Sequence, residues 1–120
     1  METKTITVNL TIPLLADLTF ARQALPGMRL AMPANMDEMT ATLVDPDVDV
    51  IGIRADDAAL LDGAQIGLAV NIVSMQEMDL DVIAEYFRLL RSASGTQTAF
   101  YCCNRAHKPF YDGTEIRFDD

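Results

Sequence analysis

The sequence predicts an α/β fold: a mostly parallel sheet with helices on its faces, ending in the start of a C-terminal hairpin. Three observations predict it. Strand-like and helix-like periodicities alternate along the chain, a pattern that implies right-handed crossovers between parallel strands. Residues 66–73 are nearly all apolar, as expected of a strand covered on both faces. Asp112-Gly113 is a turn signal, and Ile116 and Phe118 alternate after it.

Lys4 to Leu10 alternates, with Ile6, Val8 and Leu10 on one side, and reads as a strand. Pro13 sits where a first helical turn tolerates proline. Leu14, Leu18, Ala21 and Leu25 follow at helical spacing, and Pro26-Gly27 stops that helix. Met28 to Met32 is a short second strand. Asn35 is placed to cap a helix through Leu43, which Pro46 limits. Asp49 to Arg54 reads as a short strand, and one helical turn follows through Leu61 until Gly63. After the apolar run Ile66 to Val73, Asp79 or Asp81 starts a helix with Leu80, Ile83, Phe87 and Leu90 on one stripe, closed by Gly95. Glu85 precedes Arg88 by three residues, a favourable pair. Thr98 to Cys103 is a further strand, and the chain's last residues fall in mid-strand.

At 120 residues, half of them apolar and 22% charged, the chain is expected to form one domain, 1–120, with material for a core. Eighteen acids against nine bases give a net charge of −9, the wrong sign for binding nucleic acid through phosphates. Residues 37–81 carry eleven acids and one base, Arg54, and read as a solvated acidic face. No apolar run approaches the ~20 residues of a membrane helix. The start, Met1-Glu2-Thr3-Lys4, lacks a basic region ahead of an apolar one, so a cytoplasmic location is expected. Cys102 and Cys103 are neighbours that point to opposite faces of a strand, which predicts two buried free thiols. One histidine and no Cys-x-x-Cys pair give no zinc site.

In parallel sheets, binding groups lie just past the carboxyl ends of the strands. That rule selects Thr11 to Pro13, Asn71 to Met78 and Asn104 to Lys108. In the second stretch an amide, a hydroxyl, another amide and a carboxylate follow an apolar strand: Asn71, Ser74, Gln76 and Glu77. Asn71 and Gln76 can each donate and accept, and Glu77 can accept a proton. The competing role for Ser74 and Glu77 is to begin the next helix. In the third stretch Asn104, Arg105, His107 and Lys108 can hold an anionic or polyhydroxy substrate, with His107 as a base near neutral pH. The competing reading is a solvated loop.

Asn71-x-x-Ser74-Met75-Gln76-Glu77-Met78, then Phe100-Tyr101-Cys102-Cys103-Asn104-Arg105 with Lys108 and Asp112-Gly113-Thr114-x-x-Arg117-Phe118, resemble the putative sugar O-methyltransferase family. That family is similar to the S-adenosylmethionine-dependent methyltransferases of Rossmann-like fold. The resemblance covers most of the chain and is strongest from residue 66 onward. It implies a partial Rossmann-like methyltransferase sheet, with Lys4 to Leu10 as the second strand of that fold, Met28 to Met32 the third, Ile66 to Val73 the fourth and Thr98 to Cys103 the fifth. It also implies S-adenosylmethionine as cofactor, near Thr11 and Asn71, and a sugar or other hydroxyl-bearing small molecule as methyl acceptor. Asn71, Ser74, Gln76, Asn104 and Arg105 would contact that acceptor, and Glu77 or His107 would serve as base.

Two features depart from the family pattern. Neither Gly63 nor Gly67 lies in the strand-turn-helix setting of the Gly-rich cofactor turn. Thr11 stands in Thr11-Ile12-Pro13 where an Asp-Leu-Pro type sequence is usual. The chain is therefore expected to be the carboxy-terminal part, or a degenerate copy, of a methyltransferase domain. The alternative is a non-catalytic α/β module that pairs through open sheet edges, as a homo-oligomer or with a completing chain.

Overall fold

A computed structural model describes residues 3–95 and 97–117. The chain is an α/β protein of two compact units, Met1–Leu60 and Leu61–Asp120.

The first unit holds β1 (Thr5–Asn9), α1 (Thr11–Ala24), β2 (Leu30–Ala31), α2 (Met36–Val44) and β3 (Val50–Arg54), followed by two 3₁₀ turns over Ala55–Leu61 that meet at Asp57. The three strands form a parallel sheet in the order β1-β3-β2. β3 is the central strand, and Val50 to Ile53 are buried on both faces. Helix α1 begins two residues before Pro13. Its first hydrogen bond is Leu14 N to Leu10 O at 2.9 Å, so proline breaks no bond of the helix. Its buried residues, Leu14 and Leu18, pack with Val50, Met28 and Leu30. The sheet and helix approach closely at Gly52, where a Cβ would lie 2.8 Å from Leu18 Cδ1. The Asn35 side chain caps α2 by accepting from Glu38 N at 2.9 Å, and Glu38 in turn accepts from Ala34 N.

The second unit holds β4 (Leu68–Ile72), a 3₁₀ turn over Met75–Glu77, α3 (Leu80–Arg91), β5 (Ala99–Cys103), β6 (His107–Pro109) and β7 (Glu115–Arg117). β4 and β5 pair in parallel around the α3 crossover, while β6 and β7 form the antiparallel hairpin. Met75 and Ile83 form its core with Met78, Tyr86, Phe87 and Phe110. Glu85 and Arg88 pair at 2.8 Å as expected. Phe118 and the last two residues lie outside the described residues.

Five expectations need correction. The strand expected over Met28–Met32 shrinks to two edge residues, Leu30–Ala31, with Pro33 two positions beyond them. The run 66–73 is not covered on both faces. Leu68, Val70 and Ile72 are 62%, 56% and 57% exposed, because the Phe87 ring packs on Phe100 from α3 while nothing in the second unit, among its described residues, covers the opposite face. Both cysteines are exposed for a related reason, since all of β5 is solvent-accessible. On α3, Leu80 is exposed and Leu89 is buried instead. Finally, residues 107–109 are a strand and not a loop, because they pair with residues 115–117.

Candidate functional site

The second unit gathers its polar residues at the carboxyl ends of β4 and β5. Val73 leaves β4 at φ +61°, a left-handed conformation that costs a β-branched residue ~1–3 kcal/mol. Its N–H still donates to Cys103 O at 2.8 Å, so the kink comes after the last sheet bond. The chain turns there and the 3₁₀ turn begins.

Asn71 organises that turn. Its Nδ2 donates to Ser74 Oγ at 2.7 Å, and its Oδ1 accepts from Met75 N at 3.1 Å and from Asn104 Nδ2 at 2.9 Å. Asn104 Oδ1 accepts from Gln76 N at 3.3 Å, and Gln76 Oε1 accepts from Arg105 N at 2.9 Å. Asn104 Nδ2 also lies 3.1 Å from Cys102 Sγ. Gln76 is 4% exposed, the one buried polar side chain among the described residues. The network therefore stitches the segment after β4 to the segment after β5 and satisfies its own buried atoms. At the surface above it, Lys108 pairs with Glu77. The Lys108 ammonium holds the Glu77 carboxyl below the usual carboxylate range against partial desolvation, with help from the Gln76 side chain and the Arg105 charge.

The structure thus brings together Asn71, Ser74, Gln76, Glu77, Asn104 and Arg105, which the sequence singled out. His107 belongs to a different surface. It neighbours Lys108 on β6, so the two side chains take opposite faces. Its Nε2 lies 2.7 Å from Glu115 Oε2, and that carboxyl is held low chiefly by Arg117 and then by His107. Thr11 is the exposed first residue of α1, in the first unit. Lys108 as the partner of Glu77, and Glu115 as the partner of His107, were not read from the sequence. For His107 the signal was available in the two-residue alternation of 107–109 opposite 115–117; for Lys108 and Glu77, 31 residues apart, no local pattern carried it.

Chemically, the cluster offers one exposed carboxylate that is ionised at neutral pH, one exposed guanidinium and one hydroxyl, mounted on a rigid amide scaffold. Among the described residues no group of three His, Cys, Asp or Glu side chains is placed to hold a metal ion, and no helix is long and apolar enough to cross a membrane. The residues assigned to S-adenosylmethionine do not fit it. Both polar atoms of Asn71 are committed within the chain, and Thr11 offers one hydroxyl to a ribose diol that calls for two charged acceptor oxygens. No family model matches the chain, and neither a curated protein nor a solved structure gives a significant match.

Proposed function

We propose that the second unit is the acceptor side of an S-adenosylmethionine-dependent O-methyltransferase-type domain, with a sugar or another hydroxyl-bearing small molecule as its ligand. One observation carries this reading: the Asn71–Glu77 cluster stands at the carboxyl ends of two adjacent parallel strands, where open α/β sheets bind ligands. Asn71, Gln76 and Asn104 act as positioning residues. Glu77 accepts a hydrogen bond from a ligand hydroxyl, Ser74 and Arg105 fix the neighbouring oxygens, and the lowered Glu77 pKa suits an acceptor better than a strong base. His107, with Nε2 on Glu115, has the carboxylate-imidazole pairing of a base, but on its own surface.

The test is a nuclear magnetic resonance titration with a panel of methyl glycosides and polyols. The expected result is that amides of residues 71–77 and 104–105 shift together. Arg105→Ala and Glu77→Ala should weaken the effect without altering the rest of the spectrum. A panel that leaves those amides unmoved would sink the reading. Calorimetry with S-adenosylmethionine should show no micromolar binding to this chain.

A second reading rests on the exposed β4–β5 face and on strand edges that take no partner strand among the described residues: a non-catalytic module that associates through its sheets. Micromolar self-association with no glycoside response would favour it.

A further inference from the structure

The first unit contains a groove of about 270 Å³ between α1 and the edge strand β2. Its walls are Leu15, Leu18 and Thr19 from α1 with Leu30 and Met32 from the β2 segment, and Arg22 also lines it. Three properties of this groove are independent of the polar cluster in the second unit.

The first is a free strand edge. β2 pairs only with β3 among the described residues. Arg29 O accepts from Val50 N at 3.1 Å, so Arg29 turns its backbone groups toward β3, and by alternation Ala31 does as well. The N–H and C=O of Leu30 therefore point outward, away from β3. The second property is apolar lining immediately beside that edge. The third is charge. Arg22 makes no ion pair among the described residues and is the sole ionisable residue lining the groove, in a chain of net charge −9. A locally cationic groove on an acidic protein selects anionic partners.

We infer that this groove binds an extended peptide segment as an added strand on β2, with an apolar side chain between α1 and β2 and a carboxylate side chain on Arg22. Strand addition satisfies the outward groups of Leu30. Side chains two apart on one face of the added strand are separated by about 6.6 Å. Leu15 and Arg22 are seven residues apart, about 10 Å along the helix, and the long arginine side chain spans the difference. Pro33 ends β2 and limits the added pairing to a short segment.

The probes are fluorescein-labelled, C-terminally amidated hexapeptides of alternating β-branched residues. Each carries valine, leucine, isoleucine or phenylalanine at one position and glutamate two residues later. The expected result is binding of at least one glutamate peptide, with amide shifts at residues 30–32 and on the Leu15–Arg22 face of α1. Lysine in place of glutamate should weaken binding by about ten-fold or more. N-methylation of alternate peptide amides should abolish it. Arg22→Glu should reverse the charge preference, and Arg22→Ala should remove it; an unchanged spectrum elsewhere controls for folding. The inference is overturned if no peptide in the panel shifts residues 30–32, or if glutamate and lysine peptides bind equally. Octanoate shifting Leu15, Thr19 and Arg22 while no peptide binds would replace it with a fatty carboxylate site.

Discussion

At the scale of single residues, charge is arranged locally although the chain as a whole is strongly acidic. Arg29 carries the clearest example. It pairs with Asp47 at 2.8 Å and with Asp49 at 2.9 Å, and its backbone N–H also donates to Asp49. The Arg29 side chain, then its backbone N–H, hold the Asp49 carboxyl down from its ordinary 3.8 to about 2. A carboxyl with a depressed folded-state pKa binds protons more readily when unfolded. Its contribution to stability is therefore complete above 3.8 and disappears as pH falls toward 2. Asp49→Asn should flatten the acid limb of the stability curve across that window while leaving the neutral-pH fold intact. Urea unfolding followed by circular dichroism at stepped pH measures it, and equal slopes in the two proteins would refute the assignment. The same scale shows what was legible in the candidate site. The residue types at 71–77 and 104–105 could be picked out because polar groups after an apolar strand need partners. That most of those partners would be one another was not legible, because the Asn71–Asn104 bond joins residues 33 apart in sequence.

At the scale of elements, the sequence carried type better than context. Helices α1 and α2, strands β1, β3, β4 and β5 and the turn at Asp112-Gly113 all fall where periodicity, capping and turn chemistry put them, whereas the first hairpin strand, His107–Pro109, does not. Asn35 illustrates why. An N-cap is a local interaction, complete within four residues, and needs no tertiary information. Burial is different. Val50-Ile51-Gly52-Ile53 and Leu68-Ala69-Val70 have similar composition, but the first is the centre of a sheet and the second has one open face. Which apolar run becomes central depends on strand order, and pairing between β1 and β3 spans more than forty residues. Gly52 marks the central strand most sharply. It lets α1 settle against β3, with Leu18 Cδ1 at 2.8 Å and Leu14 Cδ1 at 3.5 Å from where a Cβ would be. Gly52→Val should destabilise the protein by about 1–3 kcal/mol through overpacking. In a Gly52→Val, Leu18→Ala double variant the loss should be smaller than the sum of the two single losses, since the cavity left by Leu18 accepts the new methyl groups. Strict additivity in denaturant unfolding would show that helix and strand are not in the close contact that Gly52 permits.

At the scale of the whole molecule, net charge and exposed apolar surface oppose one another. The chain carries −9 at neutral pH and has an isoelectric point of about 4.3. Mutual repulsion opposes the association of copies at neutral pH. On the exposed face of β4–β5, Leu68, Val70 and Ile72 stand in register with Ala99, Tyr101 and Cys103. Among the described residues, the β4 and β5 side chains on that face include no carboxylate or basic group, so its attraction for a second apolar surface persists when the rest of the molecule loses charge. Lowering the pH toward 4.3 should therefore promote association, read by light scattering, at a pH where Asp49 is still largely ionised and keeps its contribution to the stability of the first unit. A Val70→Thr, Ile72→Thr variant leaves net charge unchanged and retains β-branched side chains in the strand. It should move the onset of association to higher protein concentration, whereas Ile12→Thr on exposed α1 should move it little, because Ile12 does not belong to a strand-paired patch. Equal onsets for wild type and the β4 variant would show that loss of charge alone drives association, and that the open sheet face takes no part.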